Sequence, residues 1–546
     1  MSNVWTTVYR FVDRYSFPIL LTLFVLWMCY GIFPLRAYET DGQEIILGCD
    51  IMYREGWSFP PIYSYEYRMQ PLITILIVSL KHLMPFFTCE QIYCGMTVVA
   101  TLVFLFGSIS FIQHVTHVSK TRILIATMLL PESYAIAMYP NSAIPAAACF
   151  IWALIMISKE RYWLSVLLLV VAVLFRLDIV IVFPTVLPML VYEGKPWKRA
   201  LGMSVVFGMV VVVVGLLFFW MMGAEALRTY GAYQKWNFII TSTERILSIT
   251  GFYSLAYFIL MPLGLYIMWT KKHYKELSLV LVPIILLHSV YVLFGNASKH
   301  FLYNAPFVII AGVYALAWLQ EKLRHRPVLQ WAVGIGLALF MTVSVRKSNL
   351  SLPWFNVNPL SKVGIVKPLY ETERGNTAYS VGIGAGFQLV TNDENMLLTG
   401  HAFYPWYIHT IKELIGDWRR QQKAVLDSVP TSNILTLEWG VSAPVSYDFM
   451  TEQYHYHRLE KMPETYCYTL SNPQHDLHFW RIVMPKALTD SQELVSYLDS
   501  VSSHFLPGDT YLLSASNHYG ASYFMDELVP TGRLEKTAEK LYKIKK

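Results

Sequence analysis

Apolar runs near the roughly 20 residues that carry a helix across the hydrocarbon core of a bilayer recur through the first 345 residues. They lie near 17–35, 92–113, 123–139, 142–158, 163–175, 179–192, 200–222, 252–270, 277–295, 302–319 and 328–345. A further apolar segment, 71–87, is interrupted by Lys81, His82 and Pro85, and is expected to lie at or dip into the outer membrane surface. The composition agrees: 55% of residues are hydrophobic and 15% charged, and the mean hydropathy is +0.41. That excludes an ordinary soluble protein and implies a polytopic α-helical membrane protein of about eleven spans.

The net charge of +6 comes in short clusters between the apolar runs, not in the single stripe a nucleic-acid binder would show. Topology explains it, because cytoplasmic loops collect Lys and Arg. With the N-terminus inside and 71–87 not crossing, the inner loops hold Lys120 and Arg122; Lys159 and Arg161; Lys195, Lys198 and Arg199; Lys271, Lys272 and Lys275; and Lys322, Arg324 and Arg326. A crossing at 71–87 would turn all of these outward. The loop 35–70 and the C-terminal part are therefore expected outside. Residues 1–16 carry Arg10 and Arg14 ahead of the first run with no small-residue cleavage site after it, so a retained span is expected. The six cysteines show no metal-ligand spacing and imply no disulfide framework.

The 35–70 loop holds Glu39, Asp41, Glu44, Asp50, Glu55 and Glu66 and ends in Tyr65-Glu66-Tyr67-Arg68-Met69-Gln70-Pro71. Thr40 with Gln43 three residues on fits a capping box, which puts Asp41 in the first turn of a short helix. Helix-start N–H groups favour an ionised carboxylate, a suitable general base for a hydroxyl acceptor; acids there also simply answer the helix dipole. Glu44 lies one turn on, and Asp50 takes the same place if the register differs.

Phe175-Arg176-Leu177-Asp178 joins two apolar runs of roughly 13 residues each, a pair too short to reach the outer surface untilted. At that depth Arg176 and Asp178 must pair with each other or with a ligand. A second outer turn reads Tyr139-Pro140-Asn141-Ser142, and a longer outer loop, 223–251, carries Arg228, Tyr230, Tyr233, Lys235, Trp236 and Arg245. In the last outer loop Lys299 and His300 are expected to open a helix, where backbone N–H groups and a cation favour a phosphate. A snorkelling lysine beside an ordinary histidine gives the same pattern.

From about Lys347 the apolar runs shorten and Pro353, Pro359 and Pro368 punctuate a linker. Helical patterns near 407–427 and 488–504 alternate with strand-like runs at Asn395–Thr399, Asn433–Glu438 and Thr510–Ser514, which predicts a soluble α/β domain over 347–546. It carries no nucleophile elbow, P-loop or dinucleotide fingerprint, and Gly382-Ile383-Gly384-Ala385-Gly386 lacks the spacing of one.

The ordered set of an acidic first outer loop, an outer Pro-Asn-Ser turn, a submerged Phe-Arg-x-Asp hairpin and a late Lys-His-Phe-Leu-Tyr-x-x-Pro segment, over roughly residues 15–345, resembles the GT-C superfamily of integral-membrane glycosyltransferases. The mannosyltransferase branch is most similar. Asp41 matches its acidic motif, Tyr65-Glu66-Tyr67 and Arg68 its aromatic-acid stretch, Arg176 its hairpin arginine, and Lys299 with His300 the basic start of its late segment. Gly42 stands where the family often has a second acid, Leu177-Asp178 replaces Pro-Thr, and the late segment lacks the family's Glu and Arg.

The resemblance implies a catalytic membrane domain over 1–346 and an inverting transfer of a sugar from a polyprenyl-phosphate donor to a glycan or lipid-linked acceptor on the extracytoplasmic face. Asp41, seconded by Glu44, would be the base. Arg176, Lys299, His300 and Arg68 would hold the donor phosphate, and Asp50, Glu66 and Arg245 would serve the acceptor or loop. It further implies no cofactor and no obligatory metal, although some members use a divalent cation, and a bacterial inner-membrane location with the N-terminus cytoplasmic. The competing class is a transporter or flippase for a polar lipid or glycolipid. Transporters usually show repeated halves, and no two-half symmetry is present.

Overall fold

The computed structural model describes residues 15–26, 28, 29, 32, 40–57, 70–130, 140–222, 255–294, 302–340, 344–346, 349–351, 420–438, 455–462, 465–471, 476–483, 491–502, 505, 507–513, 521–538 and 541–545. The chain opens with the apolar helix α1 (Tyr15–Leu26), followed by α2 (Thr40–Glu55) and α3 (Pro71–Leu83). Helix α2 has 16 residues, longer than the short helix expected, and Asp41 lies in its first turn. Ile45, Ile46, Cys49 and Met52 are buried on α2 and recur at helical spacing, so one stripe of it packs inward. Helix α3 starts with Pro71 at its first turn, where the missing N–H costs nothing. Its 13 residues reach only about 20 Å, short of the ~30 Å hydrocarbon core.

The central bundle follows: α4 (Cys89–Thr116), α5 (Lys120–Met128), α6 (Ala143–Ser158) and α7 (Tyr162–Phe175). Thr88 and Gln91 form a reciprocal capping box that fixes the start of α4. After α7, Leu177–Thr185 winds as a 3-10 helix and continues into α8 (Val186–Tyr192). The run of β-branched residues ends in Pro184, which has no N–H and whose ring opposes a preceding carbonyl. Because a 3-10 helix rises ~2 Å per residue, these 16 residues cover roughly 28 Å, a near-complete crossing from an otherwise short run.

Helices α9 (Trp197–Met222), α10 (Leu255–Thr270), α11 (Tyr274–Phe294), α12 (Ala305–Leu323) and α13 (Pro327–Phe340) complete the membrane part. Three described helices are long and apolar enough to cross a membrane alone, at Cys89–Thr116, Trp197–Leu217 and Leu302–Leu323, and most of the others are shorter. Helices α10 and α12 pass so closely that a Cβ on Gly264 would stand 1.9 Å from the Ala311 carbonyl oxygen.

The five basic loops meet at one end of the bundle. Lys195 Nζ donates to Glu160 Oε1 at 2.7 Å, and Lys271 Nζ to Glu321 Oε2 at 3.5 Å. His114 Nε2 and Glu193 Oε1 are 2.7 Å apart, and Glu276 is near enough to Tyr192 to act on it electrostatically. The Lys195 ammonium holds the exposed Glu160 carboxyl below its usual range.

A short hairpin, β1 (Ser344–Arg346) with β2 (Asn349–Ser351), follows the helices. The remaining strands, β3 (Thr431–Glu438), β4 (His455–Met462), β5 (Thr465–Ser471), β6 (Asp476–Val483), β7 (Asp509–Leu513), β8 (Leu534–Ala538) and β9 (Leu541–Ile544), form one mixed sheet in the order β4-β5-β6-β3-β7-β9-β8. Strands β6, β3 and β7 are parallel, and Trp480, Leu435, Leu512 and Tyr542 make one buried row across them to β9. Helices α14 (Ser491–Val501) and α15 (Ala521–Leu528) cover that row with Leu494, Leu498 and Met525. Gly508 at φ +139° starts β7, where a side chain would press on the Thr431 carbonyl 2.9 Å away. The strand-like run at 395–399 and the Gly-rich run at 382–386 lie outside the described residues.

Candidate functional site

The α7 helix ends at Phe175, and Arg176 breaks into extended backbone, φ −161° and ψ 122°, before the 3-10 helix begins. That break turns the Arg176 side chain into a polar cluster. Its Nε donates to Asp178 Oδ2 at 3.0 Å, and its Nη1 donates to Ser142 Oγ at 3.2 Å. Asp178 uses its second oxygen, Oδ1, to accept from the Tyr303 hydroxyl at 2.8 Å. The hairpin thus meets the sequence expectation of mutual pairing, with two further partners from α6 and the foot of α12. Arg176 is buried, and a buried guanidinium requires this degree of hydrogen bonding.

Asn141 Oδ1 accepts from the Ala143 N–H at 2.9 Å and shapes the turn into α6. On the other side Asn304 is fully buried, and both its carboxamide atoms lack a hydrogen-bond partner. Such an unsatisfied amide calls for an explanation, and a ligand is one. Helix α12 begins at Ala305, so Tyr303 and Asn304 stand at its opening. A 3-10 turn at 302–304 leads into this helix, and Lys299 and His300, expected to open it, lie outside the described residues. Pro306 occupies the first helical turn, where its missing N–H costs nothing.

Beside the cluster runs an open apolar groove of about 670 Å³ between α3, α4 and α6. Asn141 and Phe175 line it, and they are the chain neighbours of the bonded pair Ser142 and Arg176. From there the lining continues along α4 from Gln91 to Val103, which is roughly 18 Å of helix. Ile73 and Leu80 of α3 and Ala148 of α6 complete its walls. The groove wall is almost wholly apolar, and its Asn141 and Phe175 directly precede Ser142 and Arg176 in the chain.

Of the residues singled out in the sequence, Asp41 and Glu44 fall in the first turns of α2. Asp50 lies nine residues beyond Asp41, about 14 Å along the helix, where it faces the Cys89 thiol at the start of α4. Arg68, Glu66, Arg245, Lys299 and His300 lie outside the described residues, and the side chains of Asp41 and Glu44 are likewise not described. No group of His, Cys, Asp or Glu that could hold a metal ion occurs among the described residues. Ser142 and Tyr303 entered the sequence analysis only as members of the Pro-Asn-Ser turn and the late Lys-His-Phe-Leu-Tyr segment, with no site role, and Asn304 was not singled out. Their signal was a polar pair directly before an apolar helix and a serine after a Pro-Asn turn, neither of which names a distant partner.

The helix order, the long apolar helices and the buried polar cluster define a helical integral membrane protein whose fold is similar to that of ArnT. Among solved structures the chain is similar to ArnT from Cupriavidus metallidurans in the apo state, at 12% identity and a TM-score of 0.52, over 98% of this chain and 98% of that one. ArnT bound to undecaprenyl phosphate gives 12% identity and 0.48, over 97% and 98%. The oligosaccharyltransferase of Archaeoglobus fulgidus in the apo form gives 12% and 0.38, over 68% of this chain and 57% of that one. No protein-family model and no curated protein sequence matches.

Proposed function

We propose that this protein is a membrane glycosyltransferase that moves a sugar from a polyprenyl-phosphate donor to a glycan or lipid-linked acceptor on the extracytoplasmic face. The observation that carries the reading is the junction of groove and cation: Phe175 lines an apolar groove and Arg176, the next residue, is a buried guanidinium. A polyprenyl chain fits the groove, and its phosphate then comes to the arginine. Arg176, with Lys299, His300 and Arg68, stabilises the negative charge that grows on the leaving phosphate, where the low dielectric strengthens each contact. Asn304 supplies a further polar ligand to the bound head group.

In the reaction the acceptor hydroxyl oxygen bonds to the anomeric carbon from the face opposite the phosphate. The bond from that carbon to the phosphate oxygen breaks, the electron pair leaves with polyprenyl phosphate, and the hydroxyl proton passes to Asp41, with Glu44 one turn away. Asp50, Glu66 and Arg245 serve the acceptor side or the loop. The sugar is a hexose, mannose in the branch the motifs resemble. The transfer needs no cofactor. The division into a membrane catalytic part, 1–346, and an extracytoplasmic α/β domain, 347–546, in a bacterial inner membrane with the N-terminus cytoplasmic, belongs to the same reading.

The test is transfer by the purified full-length protein from a panel of polyprenyl-phosphate hexoses to membrane glycolipid and glycan extracts. Release of polyprenyl phosphate together with a labelled product supports the reading. Failure with every donor, alongside movement of an intact polar lipid across vesicles, would replace it with transport.

A further inference from the structure

We propose that Tyr303 and Asp178 are positioning residues for Arg176, fixing its guanidinium to receive the phosphate of a lipid substrate. The inference rests on the reading of Arg176 as a phosphate ligand. An arginine side chain has large rotamer freedom, and a phosphate is gripped well only by a fork whose plane is already set. Here the plane is set from two sides, by Asp178 Oδ2 on Nε at 3.0 Å and by Ser142 Oγ on Nη1 at 3.2 Å.

The carboxylate is itself held. Its other oxygen accepts from the Tyr303 hydroxyl at 2.8 Å, so rotating the carboxylate breaks the bond to Arg176 or the bond to Tyr303. Tyr303 is almost wholly buried, and it stands 125 residues away in sequence at the foot of α12. Its hydroxyl lies against both Asp178 and Arg176, so it acts on a ligand through the position it gives the arginine. The chain Tyr303 to Asp178 to Arg176 ties the start of α12 to the α7 hairpin, beside the end of the groove that Phe175 lines.

The experiment measures binding of two probes to the full-length protein in detergent: undecaprenyl phosphate, and undecaprenol, which has the tail without the phosphate. Tyr303→Phe keeps the ring and removes the hydroxyl. It is expected to weaken undecaprenyl phosphate on the order of tenfold and to leave undecaprenol unchanged. In a background carrying Arg176→Gln with Asp178→Asn, adding Tyr303→Phe is expected to change nothing further, because coupled residues are not additive.

Equal weakening of both probes, or a full additional loss in the pair-less background, overturns the proposal, since a general packing defect does both. Should Tyr303→Phe not fold, Asp178→Asn carries the same test, and unchanged phosphate affinity there overturns it. Wild-type binding of undecaprenyl phosphate with an unaffected Tyr303→Phe sinks this inference alone. Wild-type protein that binds undecaprenol no more weakly than undecaprenyl phosphate overturns the underlying reading of Arg176 as well.

Discussion

Arg176 Nη1 and Ser142 Oγ meet at 3.2 Å, joining the start of α6 to the end of α7 beside an apolar groove. With Asp178 on Nε, the arginine is part of a buried ion pair, so truncating it does more than remove a phosphate ligand. Arg176→Ala is expected to destabilise by about 3–5 kcal/mol, because the Asp178 charge is left uncompensated. Replacing both partners, Arg176→Gln with Asp178→Asn, is expected to keep near-normal thermal stability and to weaken lipid-phosphate binding while leaving it measurable. Melting curves and lipid titrations on the two proteins check the pair of outcomes.

Asn304 gives the opposite sign for stability. Its buried carboxamide has no partner, so Asn304→Leu, close in size, removes a desolvation penalty of about 1–3 kcal/mol. The variant is expected to melt at higher temperature and to transfer sugar more slowly. A drop in melting temperature with unchanged turnover would take Asn304 out of the site.

Helix packing supplies a third expectation. Gly264→Ala drives a methyl group into the Ala311 carbonyl, 1.9 Å from the ideal Cβ, and is expected to cost about 1–3 kcal/mol or more. Gly208→Ala on α9 meets nothing within 4 Å and is expected to be neutral or mildly stabilising. Comparative melting in one detergent separates them.

The same sequence patterns that located the spans also located the hairpin, and for a physical reason. Hydrophobic length and Lys/Arg placement are local, so α4, α7 and α9 and the basic loops at one end of the bundle were legible. So was the strain of placing Arg176 beside Asp178 between two short runs. Three things were not. The 3-10 winding of Leu177–Thr185 depends on Pro184 within a packed environment, the α2 helix extends well past its capping signal, and Tyr303 finds Asp178 only through the tertiary fold. The groove is likewise a product of three helices, none of whose sequences contains it.

Topology is open to direct labelling. Lys272 is exposed at the end where the basic loops gather, and Trp57 is exposed just after α2. A membrane-impermeant thiol reagent applied to intact cells is expected to modify Trp57→Cys and Arg420→Cys and to spare Lys272→Cys. Gly42 is a poor reporter because it is buried. Labelling of Lys272→Cys from outside would turn the bundle over and put Asp41 on the wrong side for the proposed chemistry.

The most direct measurement compares Asp41→Asn with the wild type for hexose transfer from a polyprenyl-phosphate donor, with donor binding and melting temperature taken on the same preparations. Glu44→Gln and Asp50→Asn run beside it. General-base assistance is typically worth ~10²–10⁴-fold in rate. The account predicts that Asp41→Asn binds donor and melts like the wild type while transfer falls by about that factor. Wild-type turnover in Asp41→Asn, Glu44→Gln and Asp50→Asn alike would contradict it.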